Sequence, residues 1–204
     1  MSADHSLIAL IWQGLLSQSG WEWLATGLGI VYVYLAAKQS LWCWAAAFSS
    51  TLIYTVLFWQ GQLPMQAVLN FYYMVMALYG IWAWRAGNTP DTELQIQSLS
   101  LIQQAQIWGL GSLAVVLAGY YLHSSEQSLY PYLDAFVAVF SAINTYLMVK
   151  KYLQSWHYWL VINSAAITLY FLSGFYVTLA LFAVYMVMAV YGLIEWRRSY
   201  QSQN

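Results

Sequence analysis

A chain of 204 residues that is 62% hydrophobic and only 6% charged is too apolar to be a soluble domain, and an apolar solvent must surround it. Its formal net charge of −1 comes with no phosphate-neutralising basic stretch, which excludes nucleic acid as a partner. The single cysteine, Cys43, excludes an internal disulfide and a thiolate metal cage.

In chain order, MSADHSLIALIWQGLLSQSG has an apolar run without the basic leader or small-residue cleavage site of a secretory signal. Residues 1–19 read as a short amphipathic helix lying at the membrane interface. A helix needs about 20 mostly apolar residues to cross a hydrocarbon core of about 30 Å. Seven stretches qualify: 21–38, 41–60, 63–84, 104–122, 132–149, 153–173 and 176–196. Short polar breaks separate them at residues 38–40, 61–62, 150–152 and at Gly174. The one longer connection, 86–103, contains AGNTPDTELQIQS, read as soluble and too short for a separate domain.

With seven crossings, the loops after the odd-numbered spans share one side. They hold Lys38, Arg85, Lys150, Lys151, Arg197 and Arg198, which is every Lys and Arg in the chain. The positive-inside rule puts that side in the cytoplasm, with the N-terminus outside and the C-terminus inside.

YYMVMALYGIWAWR (72–85) and VYMVMAVYGLIEWR (184–197) agree at nine of fourteen positions, all at an offset of 112. The same offset pairs Glu22 with Asp134, Tyr34 with Tyr146, Lys38 with Lys150, Leu41 with Leu153 and Trp44 with Trp156. Spans one to three therefore match spans five to seven. The triplets start an even number of crossings apart, so they run the same way, with the fourth span as linker. The resulting all-α, 3+1+3 arrangement divides into residues 1–19, a first bundle 20–86, a linker with the fourth span 87–131, a second bundle 132–198 and a tail 199–204. Parallel repeats of this kind hold transported solutes near mid-membrane between the two bundles.

In SWHYWLVINSAAITLYF, Trp156, Trp159, Asn163 and Tyr170 fall at i, i+3, i+7 and i+14, one face of a helix. An amide facing lipid there would leave polar atoms unpaired. Trp156 and Trp159 fit a ligand platform or an interfacial aromatic belt; Asn163 fits a ligand contact or an interhelical hydrogen bond. Other polar groups at membrane depth are Ser49, Ser50, Thr51, Gln66, Asn70 and Asn144. Asn70 and Tyr73 are spaced to meet one ligand, while Ser and Thr in such helices commonly bond their own backbone. Glu22 and Asp134 begin their bundles on the outer side, as an outer vestibule that draws in a cation or as solvated helix N-termini. Aromatic residues make up 19% of the chain, and an aromatic cavity can hold a flat cationic ring by stacking and cation–π attraction. His5, His123 and His157 are isolated, so no metal site is expected. No G-x-S-x-G elbow, phosphate-cradling glycine loop or intramembrane acid relay is present, so neither an enzyme nor a cofactor is expected.

IVYVYLAAKQSLWCW (30–44), LNFYYMVMALYGIWAW (69–84) and SWHYWLVIN (155–163) resemble the PnuC family of bacterial vitamin transporters. Trp156, Trp159 and Asn163 are similar to that family's W-x-x-W-x-x-x-N substrate motif. The resemblance implies a fold like the SWEET sugar transporters and a homotrimer in the inner membrane. It also implies facilitated uptake of a vitamin that a cytoplasmic kinase then traps, with no ATP site of the carrier's own. Ser50 stands where nicotinamide riboside carriers often have Asn, and Asn70 where one type has Gln. These departures rank thiamine ahead of nicotinamide riboside as the cationic aromatic vitamin, with riboflavin, neutral and larger, as a third possibility. The alternatives are a binding subunit of an energised uptake complex and a purely structural membrane subunit.

Overall fold

Inside a bilayer each backbone N–H and C=O must find its partner within its own segment, and helices achieve this. The computed structural model describes residues 7–61, 64–86, 94–126 and 128–203. Among them are eight helices: α1 Leu7–Leu16, α2 Gly20–Ala37, α3 Trp42–Gln60, α4 Pro64–Ala86, α5 Leu101–Ser124, α6 Pro131–Val149, α7 Gln154–Leu172 and α8 Tyr176–Gln203. The helices α2 to α8 follow the seven expected stretches closely. The main departure is α8, whose helix continues through most of the segment expected as a tail, because RRSYQSQ contains no helix breaker. Five helices are long and apolar enough to cross a membrane, namely α3, α4 over Gln66–Ala86, α5, α6 and α8. With 18 and 19 residues, α2 and α7 match the shorter of these in length.

Local chemistry sets the helix ends. Ser19 and Glu22 form a capping box that opens α2, Ser100 and Gln103 form one that opens α5, and Pro131 occupies the first turn of α6. At the far end of α2, Gln39 is left-handed with φ 55°, and Lys151 after α6 has φ 54°. Each makes a Schellman closure: the Ser40 amide donates to Leu35 O (2.9 Å) and the Gln39 amide to Ala36 O (3.0 Å); the Tyr152 amide donates to Leu147 O (3.0 Å) and the Lys151 amide to Met148 O (3.0 Å). Left-handed backbone costs a non-glycine residue about 1–2 kcal/mol. Both sharp reversals are therefore imposed by the surrounding packing, and both lie at positions 112 apart.

That relation recurs throughout the packing. α2 packs on α3 and α3 on α4; α6 packs on α7 and α7 on α8. The two groups exchange contacts, α2 with α8 and α4 with α6. Trp44 rests on Gly80, where a Cβ would overlap the indole, and Trp156 rests on Gly192 in the same way. Glycine at these positions is required by the close approach of a ring to a helix backbone. Tyr34 stacks on Tyr191 at 6.2 Å, and Tyr79 stacks on Tyr146 at 6.4 Å.

α5 lies outside these exchanges and packs on α6. Its buried residues are Gly111 and Gly119; a Cβ on Gly111 would stand 2.7 Å from Phe140 Cζ. α1 packs against the start of α8 and buries no residue.

The connection before α5 departs from the expectation of a soluble loop over its second half. Ile96 and Leu99 are buried. The Gln97 amide donates to Lys151 O and the Leu153 amide to Gln97 O, each at 2.9 Å, and Gln154 Oε1 accepts from the Leu99 amide at 2.9 Å. Burying those two side chains, and pairing the backbone with the turn before α7, makes this segment a strap across the start of α7.

Candidate functional site

α7 carries the predicted aromatic and amide stripe, and its members have different surroundings. Trp156 is 1% exposed, seated on Gly192 and edge-on to Trp196 at 5.6 Å. Its ring is spent on packing, with its indole N–H unpartnered among the described residues. One turn on, Trp159 is half-buried and packs against both apolar clusters of the protein. Asn163 is 2% exposed, and among the described residues its amide makes no hydrogen bond to the protein. Its amide atoms are not among the fully buried polar atoms left unpaired, so they keep access to a partner from outside the protein. Tyr170 is half-buried between Phe182, at 5.2 Å, and Phe175, at 6.5 Å.

The opposing wall comes from two related contacts. Tyr73 on α4 faces Ser141 on α6, and Tyr185 on α8 brings its hydroxyl to within 2.7 Å of where a Cβ on Gly29 of α2 would stand. Tyr73 with Tyr185 and Gly29 with Ser141 are again pairs offset by 112. Tyr32 of α2 lies within electrostatic reach of both phenols and packs on Trp44 at 5.8 Å. All three tyrosines keep part of their surface open although they project between helices. Tyr32 and Tyr185 were not among the residues singled out from the sequence. The repeat contained the signal, since Tyr185 is the counterpart of Tyr73.

Three other candidates bond the backbone. Ser50 Oγ donates to Ala25 O on α2 at 2.7 Å, an interhelical bond in place of the own-helix bonds that Ser49 and Thr51 make. Asn70 Nδ2 donates to Gln66 O of its own helix at 3.0 Å. Asn144 is completely buried; its Nδ2 donates to Ser155 O at 2.9 Å and its Oδ1 is unpartnered among the described residues, which ties α6 to the start of α7.

The two outer acids also part company. Glu22 Oε2 accepts from the Ser19 amide at 2.6 Å as half of the capping box. Asp134 lies in the first turn of α6 without a side-chain cap and within electrostatic reach of Tyr170.

At the opposite, basic end a layer of tryptophans closes the interior. Trp44, Trp84, Trp196 and Trp156 form a chain with ring separations of 5.4, 6.5 and 5.6 Å. The inner pair hydrogen-bonds outwards, Trp84 Nε1 to Val149 O at 2.9 Å and Trp196 Nε1 to Ala36 O at 3.0 Å. Above Trp84, at 4.7 Å from its ring, lies the Lys151 ammonium, which also donates to Gln39 Oε1 at 3.3 Å. The two left-handed residues thus meet each other. Lys38 and Lys150 cover the adjoining tyrosine pairs, their ammonium groups 5.3 and 5.4 Å from the rings of Tyr191 and Tyr79 respectively. Two open cavities lie elsewhere, one beside α4 and one between α1 and the start of α8.

An all-α membrane protein with an interior of phenols, indoles and an unpartnered amide, closed at one end by a layer of rings, is built as a solute transporter. The model of the nicotinamide mononucleotide transporter family matches residues 19–198, and the chain belongs to that family, the PnuC family of membrane transporters. It is not an enzyme. Over 176 residues it is 24% identical to the riboflavin/roseoflavin transporter RibM of Streptomyces davaonensis, covering 83% of this chain and 80% of that one. Over 204 residues it is 21% identical to the nicotinamide riboside transporter PnuC of Escherichia coli, covering 87% and 85%. Its fold matches a crystal structure of the vitamin B3 transporter PnuC with a TM-score of 0.75 at 22% identity, over 97% of this chain and 91% of the other.

Proposed function

We propose that this chain carries a flat aromatic vitamin across the membrane by facilitated diffusion, held between two like-oriented bundles, α2–α4 and α6–α8, with α5 as linker. In this reading all of α2 to α8 cross, and the bundles span residues 20–86 and 132–198. What supports it is the exchange of contacts between related positions: the Tyr34–Tyr191 and Tyr79–Tyr146 stacks and the paired left-handed turns at the offset of 112, and the Trp84 and Trp196 hydrogen bonds, whose acceptors Val149 and Ala36 are one residue out of that register.

The observation that carries the reading is the buried Asn163 amide without a protein partner, one turn beyond the half-open Trp159. Rings stack the solute, and the amide fixes its orientation by pairing with a polar edge. The tryptophan layer closes the basic end, which is the cytoplasmic end, leaving the N-terminus outside and the C-terminus inside an inner membrane. Asp134 is the acid left to attract a cation from outside.

The relatives are named for nicotinamide riboside and for riboflavin, and an aromatic interior suits either ring system. Ser50 and Asn70, the departures that rank thiamine first, are engaged with backbone carbonyls through Ser50 Oγ and Asn70 Nδ2. That ranking loses its basis, and nicotinamide riboside takes first place. A cytoplasmic kinase then traps the vitamin, and the chain assembles as a homotrimer. Uptake of labelled nicotinamide riboside, riboflavin and thiamine into proteoliposomes tests the proposal. Nicotinamide riboside is expected to enter faster than into empty vesicles without ATP or an ion gradient; no vitamin exceeding the empty-vesicle rate would refute it.

A further inference from the structure

The cavity beside α4 holds about 400 Å³ and is lined by Leu78, Ile81, Trp82, Arg85 and Ala86. All five lining residues lie on α4. Val68, Phe71, Val75, Leu78 and Trp82 are all exposed and recur every three or four residues, so an apolar track climbs α4 from the cavity into the membrane. At the basic end Trp82 stacks on Tyr79 at 5.8 Å. The Lys150 ammonium stands over Tyr79 at 5.4 Å and over Tyr146 at 5.8 Å. Arg85 follows Trp82 by one turn.

The related flank, between α8 and α2, repeats the tyrosine stack and, in Arg197, the counterpart of Arg85, but has Ile194 in place of Trp82. Lys38 covers Tyr191, yet Glu195 pairs with Lys38 at 3.4 Å and with Arg198 at 3.9 Å. The counterpart of Glu195 on the α4 flank is Ala83. Among the described residues, neither Arg85 nor Lys150 has a carboxylate partner. Two cations at a membrane interface, beside an aromatic shelf and above an apolar track, match one molecule with a negative head and a long apolar tail.

We propose that the α4–α6 flank binds one anionic phospholipid, its phosphate held between Arg85 and Lys150 and an acyl chain lying along Val68, Phe71, Val75 and Leu78. Each cation is expected to raise affinity for the anionic head about five-fold. The α8–α2 flank, where Glu195 pairs with Lys38, the counterpart of Lys150, is expected to show a weaker preference.

The test is native mass spectrometry of the full chain in detergent, titrated with phosphatidylglycerol or phosphatidylcholine of matched chains. Preferential retention of phosphatidylglycerol is expected, reduced about five-fold by either Arg85→Gln or Lys150→Gln, kept by Arg85→Lys and kept by Arg198→Gln. Monodisperse elution of each variant separates a lost site from a lost fold. Equal retention of the two lipids, glutamine variants that keep the full preference, displacement by glycerol 1-phosphate as effective as by lipid, or a second copy of the chain covering this flank would each overturn the proposal.

Discussion

Trp84 and Trp196, with rings 6.5 Å apart, each reach across the molecule to a backbone carbonyl at the end of a helix on the other side, Val149 for Trp84 and Ala36 for Trp196. The pair therefore ties together four helices, α2, α4, α6 and α8, at the floor of the proposed pathway. Replacing Trp84 by Phe keeps a ring and leaves the Val149 carbonyl without its donor at about 1–3 kcal/mol, whereas after Trp196→Phe the Ala36 carbonyl still accepts from the Gln39 amide. Thermal unfolding in detergent should show Trp84→Phe lowering Tm more than Trp196→Phe. Because the rings touch, the double variant should deviate from additivity by about 0.5 kcal/mol or more. Two neutral single variants would mean that the floor is held by other contacts.

Gly80 and Gly192 provide a second check on the relation between the halves. A methyl group at either would overlap a buried indole, Trp44 or Trp156, and overpacking of this kind costs about 1–3 kcal/mol. Gly80→Ala and Gly192→Ala should both reduce Tm and uptake. Gly109→Ala on α5 meets nothing within 4 Å, and because alanine favours helix it should leave Tm unchanged or raise it. Equal tolerance at all three sites would argue that the ring-on-glycine contacts are loose in the membrane.

The strap before α7 predicts a protection pattern. Hydrogen exchange should find the Gln97 and Leu153 amides protected, since they pair with Lys151 O and Gln97 O. Gln154→Ala removes the acceptor of the Leu99 amide and should expose residues 97–99 to faster exchange while leaving α6 unaffected. Fast exchange at Gln97 in the unsubstituted protein would contradict the docking.

Much of this was legible because the signals are long and repetitive. Apolar runs located the helices of α2 to α8, and the offset of 112 identified partners that proved to sit in matching environments, Trp44 with Trp156 and Tyr34 with Tyr146. What escaped were decisions made by three-dimensional neighbours. Ser50 bonds Ala25 of another helix, a choice that nothing in SST at 49–51 reveals. Two misses were readable. Ser19-x-x-Glu22 is a capping-box pattern, and the alternation of Leu94 and Ile96 with glutamines marks an extended segment with one buried side. The tyrosines opposite α7 lie in the repeated segments, but their shared orientation depends on how α2, α4 and α8 converge.

The two outer acids should now behave differently. Glu22→Gln weakens a capping interaction and should cost about 0.5–1 kcal/mol of stability with little effect on uptake. Asp134→Asn should leave Tm nearly constant and slow the uptake of a cationic vitamin at low ionic strength, with the difference shrinking as salt is added. Salt-independent uptake by the unsubstituted protein would remove the attraction role.

The most direct test concerns Asn163. Asn163→Leu conserves volume and removes an amide that has no protein partner among the described residues. Titration of the purified variant with nicotinamide riboside should show affinity reduced about ten- to one-hundred-fold, the equivalent of about 1–3 kcal/mol, while Tm stays level or rises. A fall in Tm with unchanged affinity would show instead that the amide holds helices together, and would contradict its place in the substrate site.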